Sequence, residues 1–109
     1  KEGYNIKEIL DVDTLKLDND LIVKLLGIKP KKDNIDGINY LKLLTKGKKI
    51  LLQFDDKKYD KLGNLLCYVY LYNKTFINTN LLSKGFADVD LTINHSKEKL
   101  FNRYRISNE

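Results

Sequence analysis

Four carboxylates lie within ten residues near the start of the chain, and their spacing makes them the first candidates for chemistry. They are Asp11, Asp13, Asp18 and Asp20. Carboxylate oxygens are the ligands that hard divalent cations prefer, and a carboxylate can also accept a proton as a general base. Asp18 and Asp20 belong to a polar turn beyond the second predicted strand, so we expect them to point away from Asp13. A metal-dependent enzyme that uses some of these acids is one hypothesis for this sequence.

The chain has one histidine, His95, and one cysteine, Cys67. A single histidine excludes, within this chain, the zinc sites and catalytic dyads that need two histidines. A single cysteine excludes an internal disulfide and a cysteine-based metal cluster. Cys67 lies in the apolar run 65–71, which predicts that it is a structural strand residue.

Positive charge is concentrated in one part of the chain. Residues 24–61 contain eleven lysines and five aspartates, a net charge of +6, whereas the rest of the chain sums to −1. Such a lysine-rich block could contact a phosphate backbone. A solvated surface in a lysine-rich protein would give the same composition, so both interpretations stay open.

The segments that would position these residues predict a β-rich fold. Five strands are predicted from β-type runs, at residues 6–10, 14–17, 21–26, 49–54 and 65–71. The first three form an antiparallel meander that ends at Gly27 and Pro30. Residues 31–37 lack apolar periodicity and are predicted to form a loop.

Three helices are predicted between and after these strands. The first has apolar residues at helical spacing from Ile38 to Leu44 and ends at Gly47. The second covers residues 77–84 and ends at Gly85, and the third begins with Ser96 as its N-cap. Together these elements predict a β-rich α+β fold, a five-stranded OB-fold Greek-key barrel with about three short helices. At this length we expect one domain over residues 1–109.

Three blocks of the sequence resemble one family, the staphylococcal nuclease (thermonuclease) homologues. Ile9–Leu17 resembles the family's D-G-D-T segment, with Val12 in place of the glycine. Residues 48–71 resemble a strand followed by the family's D-x-Y-G-R-x-L-A-Y-V-Y turn and strand, and Ile77–Ala87 resembles its V-N-x-x-L-L-x-x-G-x-A helix. The blocks occur in order and at the family's spacing over roughly residues 6–90, which implies an SNase-like OB barrel.

The resemblance also implies an active site, which this chain retains only in part. Family members cleave phosphodiester bonds with a calcium ion held by aspartates, a glutamate general base and two arginines. Asp13 stands at the first metal-ligand position, with Thr14 after it as the family pattern requires. The other positions differ: Lys24 stands at the first arginine, Lys29 at the second metal aspartate, Lys31 at the glutamate and Asn64 at the second arginine. Another placement of the gap puts Lys32 at the glutamate position.

These substitutions predict the loss of hydrolysis. Removing a general base costs about 10²–10⁴ in rate, and an arginine at a phosphoryl-transfer site is worth about 10³–10⁵. Lys24 keeps a positive charge but lacks the bidentate fork of arginine. Lys29 would place an ammonium where the divalent cation sits in the family. We therefore expect no catalytic residues, no metal and no cofactor, with Asp13 as a remnant; calcium is expected only under the alternative, a divergent calcium-dependent phosphodiesterase.

A binding role is the leading hypothesis, with single-stranded nucleic acid or a protein as the partner. The candidate nucleic-acid-binding residues are Lys24, Lys29, Lys31, Lys32 and Lys61. Base stacking at the family's positions has less support, because its tyrosine is replaced by Leu62 and its later aromatic pair falls near Leu91 and Ile93. Other aromatic side chains could supply platforms, although core packing is expected for most of them: Tyr40, Tyr59, Tyr68, Tyr70, Tyr72 and Phe76. A pure protein-interaction domain is the remaining alternative.

The sequence leaves the compartment open. No apolar run approaches the roughly 20 residues that a membrane span needs, so no membrane partner is expected. Lys1–Tyr4 lacks the apolar stretch of a signal peptide. A signal-cleaved chain or an excised domain would look the same, and the oligomeric state is equally open.

Overall fold

The computed structural model of the protein describes residues 2–107, which form seven strands and three helices. The strands are β1 Ile6–Asp11, β2 Thr14–Leu17, β3 Ile22–Leu25, β4 Ile28–Pro30, β5 Ile50–Gln53, β6 Leu65–Leu71 and β7 Ala87–Val89. The helices are α1 Ile35–Thr45, α2 Ile77–Ser83 and α3 Glu98–Ser107. None of the helices in this part of the chain has the length and apolar character that a membrane crossing requires.

Five strands form one sheet in the order β1-β2-β3-β6-β5. Its neighbours are antiparallel except for β3 and β6, which run parallel. The sheet is not closed by a continuous ladder; an isolated bridge between Tyr4 and Ile50 links its two edges. The predicted fold class, an SNase/OB-like α+β fold with a five-stranded sheet and three helices, is confirmed.

A second, two-stranded ribbon was not predicted from the sequence. β4 and β7 pair antiparallel, with Lys29 aligned with Asp88. The prediction ended the meander at Gly27 and Pro30, whereas the chain forms a short strand between them. Pro30 lies at the end of β4, where its missing N–H costs little.

Two helix boundaries differ from the prediction. α1 begins at Ile35, inside the predicted loop, with its N-cap at Asn34. α3 begins at Glu98 and not directly after Ser96. The N–H of Ser96 donates to Asp55 Oδ2 at 2.6 Å, so this residue is held by the β5–β6 connection before the helix starts.

The core lies between the curved sheet and α2 and α3. Alternate residues of β2 and β3 point into it, and β6 contributes the continuous buried run from Leu66 to Val69. Cys67 is fully buried there, and burial raises the pKa of its thiol to about 12, as expected for a structural strand residue. Phe101 of α3 packs edge-on against Tyr68, which attaches the last helix to the sheet.

Candidate functional site

An ion pair lies beside the β1–β2 connection at the first candidate metal-ligand position. Asp13 Oδ2 is 3.2 Å from Lys24 Nζ, and Thr14 Oγ1 donates a hydrogen bond of 2.8 Å to Asp13 Oδ1. Lys24 Nζ also donates to Thr14 Oγ1, at 3.0 Å. These three side chains, which we call the Asp13–Thr14–Lys24 triangle, give both carboxylate oxygens of Asp13 a partner from this chain.

Strand register produces the triangle. Thr14 is aligned with Lys24 in the β2–β3 pair, so their side chains lie on the same face of the sheet. The carbonyl of Asp13 accepts the N–H of Leu25 at 2.8 Å, which fixes the connection against β3. The side chain of Asp13 is 9% exposed and that of Lys24 is 33% exposed. The Asp13 carboxylate is therefore shielded from water, whereas the Lys24 side chain remains partly in contact with water.

Asn64, at the position of the second family arginine, folds back onto its own turn. Asp60 Oδ1 accepts the N–H groups of Leu62 at 2.9 Å and Asn64 at 2.8 Å, and Asp60 Oδ2 accepts Asn64 Nδ2 at 3.2 Å. Gly63, with φ +84°, allows the chain to turn here. Burial opposes ionisation of Asp60, but these hydrogen bonds and the charge of Lys24 together hold its pKa below the ordinary value. Asn64 thus stabilises a turn.

The parallel pairing of β3 with β6 brings these groups together, near the end of β3 and the start of β6. Lys24 is aligned with Leu66, two residues beyond Asn64. Lys24 forms its ion pair with Asp13, and its charge makes a minor contribution to lowering the pKa of Asp60. The structure therefore brings together three of the site positions that the sequence singled out: Asp13, Lys24 and Asn64.

Lys29 and Lys31 lie on the β4–β7 ribbon, beside Asp88. Lys31 Nζ binds Asp88 Oδ1 at 2.8 Å, and Lys29 is the strand partner of the same residue. Ile28 is buried, so the next residue of the strand points outward. The charge of Lys31 is thus partly compensated by an acid on the neighbouring strand.

The ammonium beside Asp13 belongs to Lys24. The resemblance places Lys29 at the second metal-ligand position, and in the structure Lys29 points outward from β4, a strand that the sequence pattern did not predict. Lys32, in the loop after β4, and Lys61, in the turn before β6, are both exposed.

Two of the other acids near the start of the chain, Asp11 and Asp20, have structural partners. Asp11 Oδ1 accepts a hydrogen bond of 2.8 Å from Asn34 Nδ2, which ties β1 to the start of α1. Asp20 binds Lys7 at 3.0 Å, at the far end of the β2–β3 hairpin. As expected, Asp20 therefore points away from Asp13.

The residues at this site do not fit the calcium ion that the resemblance implies. Asp13 is the one acid at a family ligand position, and a lysine ammonium already lies against it, so a cation there would be repelled. Within residues 2–107, no group of three or more His, Cys, Asp or Glu side chains is placed to hold a metal ion. The charge of Asp13 is balanced by Lys24, at the position that the resemblance implies for a metal ligand.

A buried polar network was missed from the sequence. Tyr68 Oη donates to Asp55 Oδ2 at 3.1 Å and lies 2.6 Å from His95 Nδ1. The hydrogen bond from the Ser96 N–H lowers the pKa of Asp55, and this effect outweighs the opposite effect of burial. Burial lowers the pKa of His95. The single histidine was a visible signal, but its partners come from distant segments that meet only in the fold.

Two comparisons relate this chain to known proteins. The family model described as staphylococcal nuclease homologue matches residues 37–107, from α1 through α3. The thermonuclease of Staphylococcus intermedius is 29% identical over 99 residues, an alignment that covers 79% of this chain and 58% of that relative. This chain therefore spans little more than half of the relative's length. Because the family model matches well over half of the sequence, the chain belongs to the staphylococcal nuclease homologue family.

Proposed function

We propose that this chain is a non-hydrolytic domain of the staphylococcal nuclease homologue family that binds single-stranded nucleic acid. The observation that carries the proposal is the Asp13–Thr14–Lys24 triangle. A carboxylate that is bonded to an ammonium and a hydroxyl of its own chain is not available as a metal ligand. Asn64 is bonded to Asp60, and an amide in any case lacks the charged fork that an arginine offers to a phosphoryl group.

The charge of the lysine block supports binding of a polyanion. The ion pairs found among residues 2–107 use Lys7, Lys16, Lys24 and Lys31. Most lysines of the 24–61 block are exposed and form none of these pairs. A surface with uncompensated lysines attracts a phosphate backbone and releases its counterions on binding.

Two measurements on one sample test the proposal. The purified domain is incubated with single-stranded DNA and RNA, in calcium and in chelator, and cleavage is followed on denaturing gels. Binding of a labelled oligonucleotide is then measured over a salt series. We expect no calcium-dependent cleavage, and binding in the range of about 1–100 μM at physiological salt that weakens steeply as salt rises.

The matched variant for cleavage is Asp13→Ala. Calcium-dependent cleavage by the wild type that is lost in this variant would overturn the non-hydrolytic part of the proposal and restore the phosphodiesterase hypothesis. Absence of binding at low salt would overturn the nucleic-acid part and favour a protein partner.

A further inference from the structure

A projecting tyrosine stands between two grooves at the end of β6. The ring of Tyr72 is 57% exposed and lines both grooves, whose volumes are about 420 and 340 Å³. The larger groove is also lined by Leu51, Leu52, Gln53, Tyr70, Leu71 and Lys74. The smaller is also lined by Lys48, Lys49, Leu71 and Asn73. Mostly apolar surface therefore lies beside the ring in both grooves.

The position of this ring is fixed by its surroundings. Tyr72 lies in a tight turn in which the N–H of Lys74 donates to the carbonyl of Leu71 at 3.0 Å, with Lys74 at φ +73°. The ring also packs so closely on Gly3 that a Cβ added there would lie 2.8 Å from Tyr72 Cε1. An aromatic side chain that is held in place loses little conformational entropy when a ligand stacks on it.

The charged side chains that line the two grooves are all lysines. Ile50 is aligned with Leu71, so the strand register places Lys49 beside Tyr72. Lys48 lines the same groove as Lys49, and Lys74 lines the other one. Among the residues that line the two grooves there is no acid, and no ion pair within the described chain involves these lysines.

We propose that Tyr72, Lys48, Lys49 and Lys74 form a binding platform for single-stranded nucleic acid, with bases stacked on Tyr72 and phosphates contacted by the three lysines. This inference rests on the proposed function and assigns its contact surface. The Tyr72 platform is distinct from the Asp13–Thr14–Lys24 triangle, because β6 separates the two by about 20 Å at the usual rise per residue.

The chemistry of the platform favours nucleic acid over an acidic peptide. An acidic peptide would satisfy the lysines but would leave the tyrosine face and the apolar groove walls without a flat partner. A nucleotide carries both groups at once, since every base has a π-face and every linkage has a negative charge.

The test is a titration of a fluorescein-labelled 12-residue oligothymidylate, followed by fluorescence anisotropy. Tyr72→Ala is expected to weaken binding by about 5- to 150-fold, the usual cost of losing one stacked base. Tyr72→Phe keeps the ring and is expected to stay within about twofold of the wild type. Tyr59→Ala is the matched control, because Tyr59 is 56% exposed and lies elsewhere, in the connection before β6.

The lysine contribution is read from the salt dependence of the same titration. The triple change Lys48→Gln, Lys49→Gln and Lys74→Gln is expected to reduce the slope of log affinity against log salt by about 2, or about 0.7 for each phosphate contact. The control removes the same net charge from exposed basic residues outside the 24–61 block, one directly after α2 and two on α3: Lys84→Gln, Lys99→Gln and Arg105→Gln. The control slope is expected to change by less than about 0.5.

The outcomes separate the platform from the proposed function. If the wild type does not bind at low salt, both fall together. If it binds, but only the triple change Lys29→Gln, Lys32→Gln and Lys61→Gln weakens it, the platform is wrong and the proposed function stands. If a polyglutamate peptide of equal charge competes as well as the oligothymidylate and Tyr72→Ala has no effect, base stacking is overturned.

Discussion

Removing the ammonium of Lys24 should destabilise the protein more than removing any comparably exposed surface lysine. The substitution Lys24→Met keeps the length of the side chain but leaves the Asp13 carboxylate, which is 9% exposed, without its cation at 3.2 Å. Loss of one partner from a fully buried ion pair costs about 3–5 kcal/mol. Because the Lys24 side chain is 33% exposed and water can enter the vacated space, we expect a smaller decrease, about 1.5–3 kcal/mol, in the free energy of unfolding.

Lys16 provides a matched control on the neighbouring strand. Its side chain is 34% exposed, almost the same as that of Lys24, but it pairs at 3.9 Å with Asp20, which is 65% exposed. Lys16→Met is therefore expected to cost less than about 0.5 kcal/mol. The comparison holds solvent exposure constant and changes only the burial of the acid.

The assay is urea unfolding at pH 7, followed by far-ultraviolet circular dichroism, because the chain has no tryptophan. Asp13→Asn should cost less than Lys24→Met, since it leaves behind a cation that can reach solvent. In the Asp13→Asn background, Lys24→Met should cost less than about 1 kcal/mol. Equal effects of Lys24→Met and Lys16→Met would refute the argument that Lys24 neutralises a buried carboxylate.

Three further predictions concern the parts of the fold around the site. Gly27 has φ +83°, and a Cβ there would lie 2.6 Å from His95 Nε2 and 2.7 Å from Phe101 Cε2, so Gly27→Ala should destabilise by about 2–4 kcal/mol in urea unfolding. Gly47→Ala, at φ +70° with open space around it, should cost only about 1 kcal/mol. Because burial lowers the pKa of His95 in the folded state, the unfolded chain binds more protons below its ordinary pKa of 6.5. The free energy of unfolding should therefore fall as the pH drops through about 6.5. His95→Gln should make the melting temperature depend less on pH between about pH 7.5 and 5.5. The same pH dependence in the variant as in the wild type would contradict this role of His95. The side chain of Asn78 is fully buried, where it accepts the Val69 N–H at 2.9 Å and donates to the Leu26 carbonyl at 2.8 Å. Asn78→Ala should therefore lower the free energy of unfolding by about 2–4 kcal/mol in urea unfolding. A cost below about 1 kcal/mol would show that these backbone groups find other partners.

The elements that carry their own hydrophobic spacing could be predicted from the sequence. The alternation in Thr14–Leu17 places Leu15 and Leu17 in the core, as a half-buried strand requires. The predicted bounds of α2 agree closely with the structure, because Gly85, at φ +78°, adopts the left-handed conformation that commonly ends a helix. In these segments local sequence and tertiary packing favour the same structure.

The β4–β7 ribbon could not be predicted, because neither strand has a local signal. Ile28–Pro30 and Ala87–Val89 are three residues each, are far apart in sequence, and include a proline. Their pairing depends on tertiary packing, because β7 lies between α2 and α3 in the chain and contacts both helices. A period-2 pattern needs about four residues or more before it can be distinguished from chance.

At the site, the positions could be predicted but the contacts between them could not. The resemblance singled out Asp13, Lys24 and Asn64, and the three lie near one another, at the start of β2, the end of β3 and the turn before β6. Which lysine meets Asp13 depends on side-chain direction, which follows from the alignment of Thr14 with Lys24 and is not contained in either residue alone. The same limit applies to Lys29, whose outward direction depends on a strand that the sequence did not reveal.

The Asp13–Thr14–Lys24 triangle gives a structural role to the acid that the resemblance places at a metal-ligand position. A buried carboxylate without a cation is costly, so Asp13 needs a positive charge nearby. Lys24 supplies that charge from the adjacent strand, and Asn64 and Leu62 supply hydrogen bonds to Asp60 nearby. The charge of Asp13 is then balanced from within the chain. The lysines around Tyr72 take part in none of the ion pairs found among residues 2–107, so the binding proposed there would draw on charges that the fold does not already use.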